Sequence, residues 1–187
     1  MTDPHGPPTL LLIHGLGATR GVWSDLQSVL SWDGRVVATD LPGHGAAGWS
    51  GDYTIGALAA AISAHCENGE RVIVVGHSLG GGVGLALASG MFRPVVAGVV
   101  AVGVKVGWTA QDVETFAAVA AKGVRWFDSR DQAIDRFLRQ SGLAGVVDPD
   151  HPATVDAVAE DGGRWRVAQD PETFAQRALE VRRLIEA

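Results

Sequence analysis

The chain has 187 residues, 47% of them hydrophobic and 19% charged, with a formal net charge of -6 and an isoelectric point near 5.4. That composition excludes a disordered chain and suffices for one substantial core. No run of Lys or Arg offers phosphate backbones a footprint, which argues against nucleic-acid partners, and the single cysteine, Cys66, excludes an internal disulfide and points to a reducing, cytoplasmic setting.

The opening octet MTDPHGPP has neither a basic segment nor an apolar one, so no signal peptide is expected. Apolar runs at 9–13, 35–39, 71–75 and 95–104 are continuous and rich in Val, Ile and Leu, the pattern of strands buried on both faces. Between them, 19–30, 54–66 and 81–89 have the length and pattern of crossover helices. Such alternation predicts an α/β fold with a parallel sheet of about four strands. The longest apolar region, 83–104, is broken by Phe92, Arg93, Pro94 and several glycines, and is not expected to span a membrane.

Composition changes near Gly107. Of 25 glycines, 20 precede Trp108, while 24 of the 36 charged residues follow it. A boundary is therefore expected between an α/β core over 1–107 and a second unit over 108–187. The second unit reads as helical throughout. Thr109 with Asp112 forms a capping pair for a helix ending at Gly123, with Val113, Phe116, Ala117 and Ala120 on one face. Ser129 with Gln132 starts another, with Ile134, Phe137 and Leu138 inward and a stop near Gly142. Asp170 and Pro171 start a third, with Phe174, Ala178, Val181 and Ile185 in register.

The chemistry concentrates at "VIVVGHSLGGGVG", residues 72–84. Gly76-His77-Ser78-Leu79-Gly80 fits the G-x-S-x-G pattern, in which a serine sits on a tight turn between a buried strand and a helix. Gly76 and Gly80 remove the side chains that would clash across that turn. The amide of Leu79, at the start of the helix, is a candidate oxyanion donor to a carbonyl attacked by Ser78. A second donor is expected from the loop after the first strand, His14-Gly15-Leu16-Gly17, with the amide of Leu16 as candidate. No clustered His, Cys or Asp set has metal-binding spacing, so neither a metal nor an organic cofactor is expected.

The segments "LLIHGLGAT", "ATDLPGHG" and "VVGHSLGGGVG" resemble, in order and separation, those of the α/β-hydrolase fold superfamily. From Trp108 onward, "VKVGWT", "RWFDSRDQAIDRFLRQSGLAGVV" and "GGRWRVAQDP" resemble the helical cap of its bacterial members. The resemblance implies a serine hydrolase with Ser78 as nucleophile, Leu16 and Leu79 as oxyanion donors, the cap as a lid, and an ester or related small acyl compound as substrate. His44 would lie near the active-site rim.

In that family an acid and a histidine follow the cap on loops after two further strands. Here "RRLIEA" closes the sequence before them. Tested in turn, His5, His14, His65, His77 and His151 suit the base's role poorly, and His44 is the one candidate left. Asp112, the nearest carboxylate to the fourth strand, is better explained as a helix cap. The expectation is that acid and base come from outside this chain, through a second polypeptide, the remainder of a longer chain or self-association along the open edge of the fourth strand. Alone, the chain is expected to be nearly inert, since losing the serine's partners costs on the order of 10⁶ in turnover. A non-catalytic ligand-binding module and an acyltransferase are the competing readings. Lys105, Trp108, Trp126 and Phe127 are candidate pocket residues, with docking of the helical unit the alternative role for the aromatics.

Overall fold

A computed structural model describes residues 6–175. Four parallel strands, β1 (Thr9–Ile13), β2 (Val36–Thr39), β3 (Arg71–His77) and β4 (Val95–Val102), form one sheet in the order β2-β1-β3-β4. Between the strands lie α1 (Ser24–Val29), preceded by a 3-10 turn over Arg20–Trp23, then α2 (Ile55–Ser63) and α3 (Leu79–Leu87). The predicted 19–30 helix is thus a turn and a six-residue helix, and 81–89 begins two residues earlier than its glycines suggested. The chain runs from β1 outward to β2, then crosses back past β1 to β3. That reversal leaves a crevice at the C-terminal ends of β1 and β3, where ligands bind in open α/β sheets.

The core forms where the sequence is most uniformly apolar. Leu11 and Ile13 of β1, Leu58 and Ile62 of α2, Val72 and Val74 of β3 and Val83 and Leu87 of α3 pack together, all essentially inaccessible to solvent. Cys66 belongs to this cluster, and burial pushes its thiol pKa up, which makes it a poor nucleophile. β4 has the composition of a strand buried on both faces, yet it is the sheet's edge, the open position expected of the fourth strand, with Val95, Val100 and Val102 about half exposed (55%, 53% and 50%).

Beyond β4, α4 (Ala110–Ala120) begins with a reciprocal capping box between Thr109 and Asp112, as the sequence implied. α5 (Arg130–Ser141) is capped by Ser129 and ends on Gly142 in the left-handed conformation. The expectation of helix throughout fails at 158–167. There β5 (Val158–Asp161) and β6 (Arg164–Val167) form an antiparallel hairpin whose loop, Gly162-Gly163, has positive φ at both residues (57° and 78°). Two residues of that conformation match the twist of paired strands, and two glycines adopt it without strain. The hairpin packs with α5 through Ala157, Val158 and Val167 against Ile134, Phe137 and Leu138. The helix predicted from Pro171 opens as a 3-10 turn, Pro171–Ala175, and its continuation through Ala178, Val181 and Ile185 lies outside the described residues. No helix of the described residues is long and apolar enough to cross a membrane.

The chain after β6 is stitched to the loop after β2. The Gly45 amide donates to the Ala168 carbonyl (2.7 Å), the Asp170 amide to the Gly43 carbonyl (2.8 Å), and the buried Tyr53 hydroxyl to the Asp170 carboxylate (2.5 Å). Tyr53→Phe should leave a charged acceptor short of one donor and lower the urea-unfolding free energy by about 2 kcal/mol. An unchanged midpoint would show that water replaces the phenol without loss.

Candidate active site

Ser78 joins β3 to α3 with φ 49° and ψ -113°, a left-handed φ that non-glycine residues avoid. The turn is locked from both sides. The Ser78 amide donates to the Val102 carbonyl of β4 (2.8 Å), and the Ser78 carbonyl accepts from the Gly81 and Gly82 amides (3.0 and 3.2 Å). The glycines permit this approach. A Cβ on Gly76 would lie 2.5 Å from the Gly81 nitrogen, and one on Gly80 would overlap the Ile13 carbonyl oxygen. No ordinary Cβ tolerates such distances.

Ser78 opens onto a cavity of about 280 Å³ whose core side also includes Leu16 and Leu79. Among the described residues, neither the Leu16 nor the Leu79 amide has an acceptor, nor does the Ser78 hydroxyl have a hydrogen-bond partner. Two unspent donors beside a half-buried hydroxyl, with the α3 N-terminus behind it, can stabilise negative charge on an oxygen bonded to that site. The rest of the wall is largely apolar, from Val104, Trp108, Phe116 and Phe174. Of these only Trp108 was anticipated as a pocket residue, because a helical sequence pattern does not reveal which neighbour each face meets.

The first-strand loop is held by two buried histidines. His14 donates from Nδ1 to the Gly15 carbonyl (2.8 Å) and accepts at Nε2 from the Leu41 amide (3.0 Å). His44 donates from Nδ1 to the Pro42 carbonyl (3.2 Å) and accepts at Nε2 from the Gly17 amide (3.2 Å), next to the Gln169 side chain. Their rings meet edge to face at 5.1 Å. Burial is the main cause that lowers the His14 pKa to about 4 and the His44 pKa to about 3. His14 lies 3.9 Å from Asp40, but as a neutral ring it makes no ion pair there at neutral pH.

These contacts correct the placing of His44. It does not lie at a rim and does not line the cavity, because it is 1% exposed with both ring nitrogens engaged, Nδ1 by the Pro42 carbonyl and Nε2 by the amide of Gly17, whose φ is 81°. Asp40, buried beside it, serves the same loop by accepting from the Arg20 amide (2.6 Å), the Arg20 guanidinium (3.0 Å) and the Ala46 amide (3.0 Å). His77 is exposed and packs on the loop: a Cβ at Gly15 would come within 2.6 Å of its Nδ1. His65 meets Thr39, and His151 meets Asp25. None of the described histidines lines the Ser78 cavity.

The other candidates divide between two cavities. Lys105 and Trp108 line the Ser78 cavity, but the Lys105 charge is paired with Asp112 (2.7 Å), and its ammonium lies 5.0 Å from the Trp108 ring centre. Those contacts hold the Asp112 pKa down at about 2, chiefly through Lys105, as fits a helix-capping carboxylate. Trp126 and Phe127 line a second cavity of about 560 Å³. The two cavities share Gln140 and Phe174. Folding also gathers what the linear sequence separates: Lys122, Arg125 and Arg136 all line the second cavity, so a cationic cluster exists where no run announced one. No group of three or more His, Cys, Asp or Glu residues able to hold a metal occurs among the described residues.

Residues 10–185 match the model of the alpha/beta hydrolase family. Lipase LipV of Mycobacterium tuberculosis is 40% identical over 88 residues, 46% of this chain and 33% of the lipase. A pimeloyl-[acyl-carrier protein] methyl ester esterase of Neisseria meningitidis is 41% identical over 86 residues, 46% of this chain and 27% of the esterase. The similarity thus takes in about a third of these relatives or less. In three dimensions, an esterase of Mycobacterium tuberculosis superposes with a TM-score of 0.69 at 22% identity, over 96% of this chain and 63% of that one, which is a likeness of fold.

Proposed function

The chain belongs to the alpha/beta hydrolase family, and on that premise we propose that it carries the nucleophile of a serine esterase acting on a small ester or related acyl compound. One observation carries the reading: Ser78, held in a left-handed backbone turn, shares a cavity with two amides, Leu16 and Leu79, that have no acceptor among the described residues. Ser78 Oγ attacks the carbonyl carbon while a base removes its proton, and the two amides bind the oxygen that becomes negative. Collapse of the tetrahedral adduct expels the alcohol, which takes the proton back from the base. Water, activated by the same base, then releases the acid. The described residues after Trp108 act as the cap over this cavity. The names of the similar lipase and esterase agree with acyl chemistry.

Base and acid come from outside the described residues, on strands that continue the sheet beyond β4. Two observations support this: no described histidine lines the cavity, and the β4 edge exposes Val95, Val100 and Val102. An open apolar edge is an unstable state for a sheet, so a second polypeptide, a further stretch of the same protein or another copy is expected to pair with it. The empty base position equally favours a second reading, a binding module that retains the cavity without turnover.

Native mass and fluorophosphonate labelling test both. A phosphonyl adduct on Ser78, lost in Ser78→Ala, inside an assembly heavier than one chain supports the divided esterase. A monomer that stays soluble at high concentration and forms no adduct leaves the binding module.

A further inference from the structure

The cavity beyond Gln140 and Phe174 has a charge opposite to the chain's own. Net charge is -6, yet Lys122, Arg125 and Arg136 line that cavity and no carboxylate among the described residues does. Asp135 of α5 lines an adjoining cavity together with Arg125 and Arg136, and is itself engaged by Arg139, four residues on, with Nε at 3.2 Å. Arg136 is half-buried and pairs with no carboxylate among the described residues, and neither does Lys122. Arg125 lies over the Phe127 ring at 5.0 Å, a contact that fixes the position of the guanidinium without neutralising it. Three like charges converging on one concavity repel one another, and an anion among them removes that repulsion.

Geometry links this cluster to the chemistry. Gln140 and Phe174 belong to both cavities, so a ligand with its carbonyl at Ser78 can extend past them into the cationic one. The wall of the Ser78 cavity is largely apolar, from Leu16, Leu79, Phe116 and Phe174, which suits methylenes rather than polar substituents. We propose that the substrate is an ester or thioester bearing an anionic group at the end remote from the scissile carbonyl, bound by Lys122, Arg125 and Arg136. The proposal rests on Ser78 as the reacting group and adds the chemistry of the far end. Lys105, already paired with Asp112 (2.7 Å), is not part of the anion site.

Non-hydrolysable methyl ketones test it by titrating the tryptophan fluorescence of the full chain, in whatever assembly it adopts. The probes are 6-oxoheptanoate, its uncharged isostere 6-oxoheptanamide, and 5-oxohexyl phosphate. At low salt the carboxylate should bind about tenfold tighter than the amide, as charge-assisted hydrogen bonds allow, and the preference should shrink several-fold in 0.5 M salt. Arg136→Gln and Lys122→Gln should each bring carboxylate and amide to within about threefold of one another, while Arg93→Gln, which changes net charge equally but lines neither cavity, should leave the preference intact. Whether the carboxylate or the phosphate binds tighter identifies which anion the site is built for. Equal affinities for carboxylate and amide, or no binding of any probe, overturn the proposal. Fluorophosphonate labelling of Ser78 in the same samples separates the two readings: labelling without charge preference removes the anion site alone, and charge preference without labelling removes the serine chemistry alone.

Discussion

Gly80→Ala is expected to destabilise the fold by at least about 3 kcal/mol, and in a domain of ordinary stability to leave most of the chain insoluble on expression. The added methyl would overlap the Ile13 carbonyl oxygen and sit 2.6 Å from that of His14. Neither oxygen can yield cheaply. Both belong to backbone at the end of β1, a strand paired on its two sides with β2 and β3. The methyl could be relieved only by moving α3 away from the sheet, which would open the packing of Val83 and Leu87 on β3. Gly56→Ala provides the contrast. It lies on α2 with no atom within 4 Å of the new methyl, so it should be neutral or stabilise by about 0.5 kcal/mol through helix propensity. Urea midpoints of the two variants check both signs, and a Gly80→Ala protein as stable as the parent would show that the close approach of α3 to β1 is wrong.

That approach is also what aims the serine. With α3 pressed against the end of β1, the Leu79 amide and the Leu16 loop face the same cavity as Ser78. A larger residue at position 80 would therefore separate the two amides before it unfolded the chain. Any surviving Gly80→Ala protein should label more slowly at Ser78.

How far the sequence revealed this depends on whether a feature is local. β1 was legible to the residue because its five side chains are all buried and four of them, Leu10 to Ile13, are apolar. The turn at Ser78 was legible because the geometry it needs leaves a mark in the glycines beside it. The Thr109 and Asp112 box was legible because both partners lie within one helical turn. The hairpin at 158–167 also left a mark, Gly162-Gly163 between two short apolar-polar stretches, and was lost in a region read for helical period alone. The open edge of β4 followed from the expected order of the strands and not from its valines, since a buried strand and an edge that awaits a partner have the same composition. The role of His44 depends on Gly17, 27 residues away, and the cationic cavity joins Arg136 of α5 to Lys122 and Arg125 across a helix start. Contacts of that kind exist only after folding, and single-sequence patterns do not encode them.

The same two histidines that hold the loop make the fold acid-labile in a way that can be calculated. His14 and His44 stay neutral in the folded chain down to about pH 4 and pH 3, because burial outweighs the Gly15 and Pro42 carbonyls and the Asp40 carboxylate that favour the charged rings. In the unfolded chain both protonate near pH 6.5. Folded pKa values below the unfolded ones mean that the unfolded state binds more protons between about pH 6.5 and pH 4. The stability is then fully present above that window and is lost as pH falls through it. Each histidine contributes a slope of about 1.4 kcal/mol per pH unit, so lowering the pH from 7.5 to 5 should cost about 4 kcal/mol for the pair. His44→Gln keeps an acceptor for the Gly17 amide and removes one of the two protons, so it should lose only about 2 kcal/mol over the same interval. Urea titrations at half-unit steps of pH read the two slopes. Equal slopes would mean that proton uptake lies elsewhere, and that His44 is not the buried neutral ring holding Gly17 beside the Ser78 cavity.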